Sequence, residues 1–326
     1  MHAARCCARS ARCPRRGSSG AEGNSVAINE STYGARPLTT AGEISLENVA
    51  KSYGSGPFTK PVVQDCSFVI ERNKLTVMIG PSGCGKSTLI RLLAGFERPT
   101  GGAIRMDGKT VTRPGKDRLV VFQESALFPW MNTFDNIMYG PRARQEDTPQ
   151  TRDRAKALLE KVGLKAFRTK YPTQLSGGMQ RRAELARAMI NNPEMMILDE
   201  PFRGLDAMSK ELMWEYYAGL FEEWHRTNFF VTTDIDEAIF LADRLIVMTN
   251  IPTRVRAVID VDIPRPRRLS DVFDNDHANQ IKMQALSLLH EEAMKSFSGG
   301  SRAAADFVEA YSKRTAAGSG SQPASH

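Results

Sequence analysis

The chain has 326 residues, 41% of them hydrophobic and 25% charged, with a formal charge of +7. That length holds one large domain with extensions or two modest ones, at about 150 residues per domain. No stretch approaches the roughly 18 consecutive apolar residues that a membrane-crossing helix needs. The charge argues less for nucleic acid than its size suggests. Arg5, Arg9, Arg12, Arg15 and Arg16 stand in the first 20 residues without an acidic partner, leaving 39 basic against 37 acidic groups in the rest. A nearly neutral remainder lacks the several Lys/Arg contacts that tracking a phosphate backbone takes, so no nucleic-acid partner is expected.

Three of the five cysteines (Cys6, Cys7, Cys13) lie in the arginine-rich leader and only Cys66 and Cys84 fall in patterned sequence. This usage fits a reducing compartment and excludes a disulfide framework. The leader has no apolar h-region, so it does not read as a secretory signal. Its Arg- and Ser-rich make-up faintly resembles an organellar transit peptide, and residues 1–42 read as a disordered tail or the product of a misplaced start codon.

Order is expected to begin at Glu43, with the alternating Ile44, Leu46 and Val49. Strand-like runs follow at 66–70, 75–79, 119–122, 195–198, 229–232 and 245–248. Helical segments are expected at 87–94, 153–162, 177–190, 210–226 and 235–242. Strands alternating with helices imply an α/β fold with a largely parallel sheet. Near Ile263 the pattern gives way to Pro264-Arg265-Pro266-Arg267-Arg268, where two prolines remove backbone donors and a boundary is expected. Beyond it, Ser270 or Asp271 is expected to cap a helix reaching about Phe297, with Val272, Ile281, Ala285, Leu286, Leu289 and Ala293 as its apolar stripe. A second short helix is expected over 303–313 and a disordered tail over 318–326. There is no internal repeat and no heptad seam.

Gly80-Pro81-Ser82-Gly83-Cys84-Gly85-Lys86-Ser87 follows the apolar run 75–79 and opens the amphipathic segment 87–94, the context a phosphate-binding loop requires. Its glycines let backbone N–H groups close around phosphate oxygens at a helix N-terminus, where the dipole favours negative charge. Lys86 is expected to bridge the β- and γ-phosphates of ATP, with Ser87 a ligand to Mg²⁺ and Thr88 beside it in the first turn. Cys84, at a helix start, is expected either to be a thiol of lowered pKa or a small filler. Met195-Met196-Ile197-Leu198-Asp199-Glu200 is an apolar strand ending in two carboxylates. That arrangement sets Asp199 beside the metal and Glu200 beside the attacking water. Ser176-Gly177-Gly178 opens a further helix and forms a second anion site of the same physical kind.

With these motifs together, the sequence resembles the ATP-binding cassette (ABC) transporter ATPases over residues 43–265. The resemblance implies a nucleotide-binding core with a small N-terminal antiparallel β part and an inserted α-helical subdomain near 125–185. It also implies that two such subunits, as a homodimer or heterodimer, sandwich ATP between the phosphate loop of one and the Ser176 helix of the other. On the family pattern Tyr53 stacks on adenine. Gln123 senses the γ-phosphate and Mg²⁺ and couples the site to a membrane permease. Asp206, in Phe202-Arg203-Gly204-Leu205-Asp206, reaches across the dimer. Two positions depart from that pattern. Thr233, in Val231-Thr232-Thr233-Asp234, stands where the family has a switch histidine, and Arg203-Gly204 replaces the usual Gly-Ala. A threonine cannot become cationic, so slowed hydrolysis is one expectation, by a factor of about 10² if the lost group is a typical electrostatic stabiliser.

Val121-Phe122-Gln123-Glu124-Ser125-Ala126-Leu127-Phe128-Pro129-Trp130 and the later Ile263-Pro264-Arg265-Pro266-Arg267 resemble importer ATPases of the nitrate, sulfonate and taurine group. This implies a subunit peripheral to the cytoplasmic membrane face. It would power separate permease subunits fed by a periplasmic or extracellular solute-binding protein. Two other classes are weighed beside it. The DNA-repair and chromosome ATPases of the same superfamily insert long coiled coils, and only about 50 residues separate Gln123 from Ser176. A regulatory or catalytically weakened partner subunit is kept open by Thr233, with the segment from Ser270 as a docking element.

Overall fold

The computed structural model describes residues 40–298. The Arg-rich leader, the helix expected over 303–313 and the 318–326 tail lie outside them.

Two sheets form the frame. In the first, β1 (Ile44–Tyr53), β2 (Lys60–Ile70), β4 (Gly101–Met106) and β5 (Lys109–Thr110) pair antiparallel in the order β2-β1-β4-β5. The second is six-stranded, with β3 (Leu75–Ile79), β6 (Arg118–Val121), β7 (Met195–Asp199), β8 (Thr227–Thr232), β9 (Arg244–Met248) and β10 (Val255–Asp260) in the order β10-β9-β3-β8-β7-β6. All its neighbours are parallel except β9 and β10. Strands β3 and β8 are covered on both faces and buried at every position, the polar Thr76, Thr227, Asn228 and Thr232 included. The edge strand β10 instead alternates half-buried with exposed residues.

Helix α1 (Lys86–Ala94) ties the sheets together. Its Leu89, Ile90, Leu92 and Leu93 share one core with Ile44 and Ile70 of the first sheet and Ile197, Phe229 and Ile246 of the second. The other face of β8 presents Phe230, whose ring packs 5.7 Å from Phe202 and 5.8 Å from Tyr217 of α5 (Ala207–Trp224). Helices α2 (Thr133–Ala143), α3 (Pro149–Lys161) and α4 (Gly177–Met189) pack on one another, and α4 also meets β6.

Strands β4 and β10 and helix α2 go beyond the sequence expectation. β4 opens on two glycines, and at Gly102 (φ +73°) a Cβ would sit 2.3 Å from the Asn48 carbonyl oxygen, where β1 and β4 slip register. Only glycine fits that bulge. α2 starts at Asn132, whose side chain accepts the Asp135 N–H, a cap hidden by the low apolarity of the helix itself.

The C-terminal helix is not continuous. α7 (Leu269–Phe273) stops, and α8 (Asp276–Ser298) starts afresh because Asn275 Oδ1 accepts the Ala278 N–H at 3.0 Å. Ser270 and Asp271 therefore lie inside α7 and do not cap the long helix. Leu286 and Ala293 are exposed; the buried face of α8 is Ala278, Ile281, Ala285 and Glu292, spaced three, four and then seven positions apart along one side of the helix. It packs on α6 (Ile235–Leu241) and β9. Lys282 pairs with Asp236 at the start of α6, and Glu292 accepts the Asn250 N–H just beyond β9. The proline-interrupted segment before α7 is stapled down. The buried Arg267 guanidinium donates to the carbonyls of Phe240, Ala242, Val261 and Ile263, and Arg265 reaches Asp243 at 2.8 Å.

Candidate nucleotide site

Register assembles the site. Ile79 at the end of β3 lies beside Thr232 of β8, Val231 of β8 beside Asp199 of β7, and Leu198 of β7 beside Val121 of β6. The four strands thus end within two residues of one another, and the residues that follow each emerge along one carboxyl edge, where open parallel sheets bind ligands. In spatial order these are Gly80, Thr233, Glu200 and the Phe122-Gln123 turn.

The 80–87 loop leads from β3 into α1. Gly83 and Gly85 hold positive φ (+76° and +104°), and a Cβ on Gly85 would meet Thr253 Oγ1 at 2.7 Å. Helices α2 to α6 each begin with a side chain (Asn132, Thr148, Ser176, Asp206, Asp234) that accepts a first-turn N–H. α1 does not: Gly85 stands at its cap without a side chain, so the donors of its first turn are left for an external acceptor. The buried Lys86 ammonium donates to the carbonyls of Gly80 and Pro81, both at 2.9 Å, and is curled back over the same concavity. Ser87 is exposed at the helix start and Thr88 is buried one residue on. Cys84 is fully buried and burial pushes its thiol up, so of the two sequence expectations the small filler is the one that holds.

Asp199 ends β7, half-buried. Burial, and then the neighbouring Glu200 carboxylate, push it up to about 6 against the pull of Lys86 and Arg91. Because the folded carboxyl holds its proton more tightly than an unfolded one, it favours folding at low pH, and that contribution is lost as pH rises through about 6. An Asp199→Asn chain should therefore melt at a higher temperature than the parent at pH 8, with the gap narrowing as pH falls from about 6 toward the ordinary carboxylate range. Nucleotide-free thermal melts check this, and a gap independent of pH would refute it. Glu200 sits next, in the left-handed region (φ +40°), fixed by its N–H to the Val231 carbonyl at 2.8 Å. Its Oε2 accepts from Arg203 Nη1 at 3.0 Å.

Gln123 is half-buried beyond β6, and its backbone is anchored by the helix that Ser176 opens. Arg181 of α4 donates to the carbonyls of Phe122 (2.8 Å) and Gln123 (2.5 Å) and to Glu184 (2.5 Å). Glu184 in turn accepts the Ala126 N–H. The sequence gives no sign of this clamp, since Arg181 is one of several arginines on a helix. Ser176 and Gly177 are exposed, and no hydrogen bond joins them to the 80–87 loop. Asp206 is exposed and accepts the Ser209 N–H as the cap of α5, which is why that helix starts earlier than expected. Tyr53, at the end of β1, donates its hydroxyl to Glu97 at 2.7 Å, with Lys51 over its ring. Thr233 is exposed. Its neighbours are engaged: Thr232 donates to the buried Glu237, itself pushed up to about 7 by burial, and Asp234 caps α6 and pairs with Lys210 at 2.6 Å.

A phosphate cradle, two carboxylates and a glutamine turn on one parallel-sheet edge define a P-loop nucleotide-binding protein. A family model for ABC transporters matches residues 63–203. The nitrate import ATP-binding protein NrtD of Synechococcus elongatus is 39% identical over 254 residues, covering 76% of this chain and 92% of that protein. The bicarbonate transport ATP-binding protein CmpD of a Synechocystis species is 39% identical over 256 residues, covering 77% and 90%. The aliphatic sulfonates import ATP-binding protein SsuB of Bacillus licheniformis is 38% identical over 240 residues, covering 73% and 93%. A dimeric ATP-binding cassette, MJ0796 bound to ADP and Pi, superposes with a TM-score of 0.59 at 27% identity, covering 68% of this chain and all of that one. The chain belongs to the ATP-binding subunits of the ABC transporter family. Its relatives include the nitrate and sulfonate importers that the 121–130 segment resembles.

Proposed function

We propose that this chain is the ATP-hydrolysing subunit of an importer for a small anion or organic solute, acting as a dimer at the cytoplasmic membrane face. The single observation that carries the reading is the shared carboxyl edge of β3, β8, β7 and β6, which brings the 80–87 loop, Asp199 and Glu200 out side by side. Residues 43–265 would be the ATP-binding domain, with 125–185 its helical subdomain and 266–317 an extension.

In this reading the amides of the 80–87 loop and Lys86 hold the phosphates, and Tyr53 stacks on the base. Gly80, Pro81, Ser82, Gly83, Cys84, Gly85, Ser87 and Thr88 complete the cradle, while Ser176, Gly177, Gly178 and Asp206 close it from a second subunit. Ser87, Asp199 and Gln123 would hold Mg²⁺, which supplies positive charge to the phosphate oxygens. The donors fit a hard cation that keeps several waters: few and all oxygen, with one carboxylate whose burial a cation would relieve. Glu200 takes a proton from water as its oxygen bonds to the γ-phosphorus and the bond to the bridging oxygen breaks, releasing ADP and phosphate.

No described helix is long and apolar enough to cross a membrane, and in this reading the work is delivered to separate permease subunits. A groove of about 360 Å³ beside the Gln123 turn, lined by Val121, Phe122, Phe128 and Tyr139, suits an apolar segment of such a partner. A solute-binding protein would act only through that permease. The names of the relatives point to an anionic cargo.

The exposed neutral Thr233 favours one second reading, a partner subunit that turns over slowly. Mg-ATP binding and steady-state ATPase of the full chain and of Thr233→His test both. Binding with hydrolysis that the histidine raises about tenfold or more is expected. Equal rates would dismiss the weakened-subunit reading, and absence of ATP affinity would dismiss both.

A further inference from the structure

We propose that Arg203 is the positioning residue for Glu200, supplying from the base's own turn the cation that the β8 edge lacks. This deepens the ATPase reading and rests on it. The Glu200 side chain is only 11% accessible, whereas Arg203 is 62% accessible and reaches in from outside. The two are bound twice, by Arg203 Nη1 to Glu200 Oε2 at 3.0 Å and by the Arg203 N–H to the Glu200 carbonyl at 3.1 Å. No protein donor reaches Oε1 among the described residues. The guanidinium therefore takes one carboxylate oxygen and leaves the other for a water, and it does so on a backbone already fixed at φ +40°.

The nearby cations are otherwise engaged. Lys86 is held by the Gly80 and Pro81 carbonyls and Lys210 by Asp234. On the neighbouring strand end Thr233 is neutral. A carboxylate with one oxygen pinned has lost most of its rotational freedom, so the remaining oxygen is preset toward the attacking water and not found by search.

The full chain with Mg-ATP provides the test. Arg203→Met should lower kcat by about 10- to 100-fold with KM for ATP within about twofold, and Arg203→Lys should recover most of the loss. In a Glu200→Gln background, Arg203→Met should change kcat no further. Independently of turnover, the Arg203 guanidinium signals of nucleotide-free, 15N-arginine-labelled protein should shift on Glu200→Gln. Unchanged kcat, a raised kcat, an equal loss in the Glu200→Gln background or static guanidinium signals would overturn the proposal. A parent chain that binds and hydrolyses ATP while ignoring Arg203 defeats this inference alone; one that binds no ATP, or binds it without any turnover, defeats the ATPase reading as well.

Discussion

Lys86→Ala should abolish both ATPase activity and detectable Mg-ATP affinity while leaving the fold intact. The ammonium is buried, yet its hydrogen bonds go only to the Gly80 and Pro81 carbonyls, which are elements of the cradle itself. Removing it deletes the cation at the centre of the loop, and no other described cation stands there to take its place. Arg91 lies a turn further along α1 and is exposed. The cost to the apo protein should be small, because the freed carbonyls can turn to water, whereas the cost to a bound triphosphate falls on charge-assisted contacts. Calorimetric titration and thermal melts check this pair of outcomes together. Retained affinity would mean the loop is not the phosphate site, and a large drop in melting temperature would mean Lys86 is a structural brace.

Glu200→Gln should have the opposite signature, with Mg-ATP bound as tightly as in the parent and kcat reduced by about 10²- to 10⁴-fold, the range typical of a lost general base. Glutamine keeps the volume and can accept a hydrogen bond through its amide oxygen, but it cannot take up the proton. It also removes a carboxylate that pushes Asp199 upward, so Mg²⁺-dependent binding should persist to lower pH in this variant. Rapid-quench hydrolysis alongside nucleotide binding separates the effects. A kcat within a fewfold of the parent would move the base elsewhere.

The cradle and the carboxylate strand are legible from sequence because each is contiguous. An unbroken apolar run predicts a strand buried on both faces, and the residues that follow it must emerge at one sheet edge. Residues 75–79 coincide with β3, and 195–198 fall one residue short of β7, which extends to Asp199 itself. Elements defined by tertiary partners are harder to see. β4 owes its place to a glycine bulge against Asn48, and β10 is an edge strand whose alternation leaves only weak apolar content. The break between α7 and α8 depends on one asparagine capping in place of the serine or aspartate four to five residues earlier. The same holds within the site. Arg203 is visible as an unusual residue beside the 199–200 carboxylates, but that its guanidinium lies on Glu200 follows only from the left-handed turn at that residue. The raised Asp199 is a product of burial that no spacing rule reports.

The Arg181 clamp has a mechanical corollary. One guanidinium grips two successive carbonyls of the Phe122-Gln123 turn from the same N-terminal end of the helix that Ser176 caps, so the two features move as a single gear. Swinging that helix without its passenger would break charged hydrogen bonds at about 1.5–3 kcal/mol each. Any force that a neighbouring protein exerts on the glutamine turn is thereby transmitted, with little slack, to the serine that caps the same end of the helix.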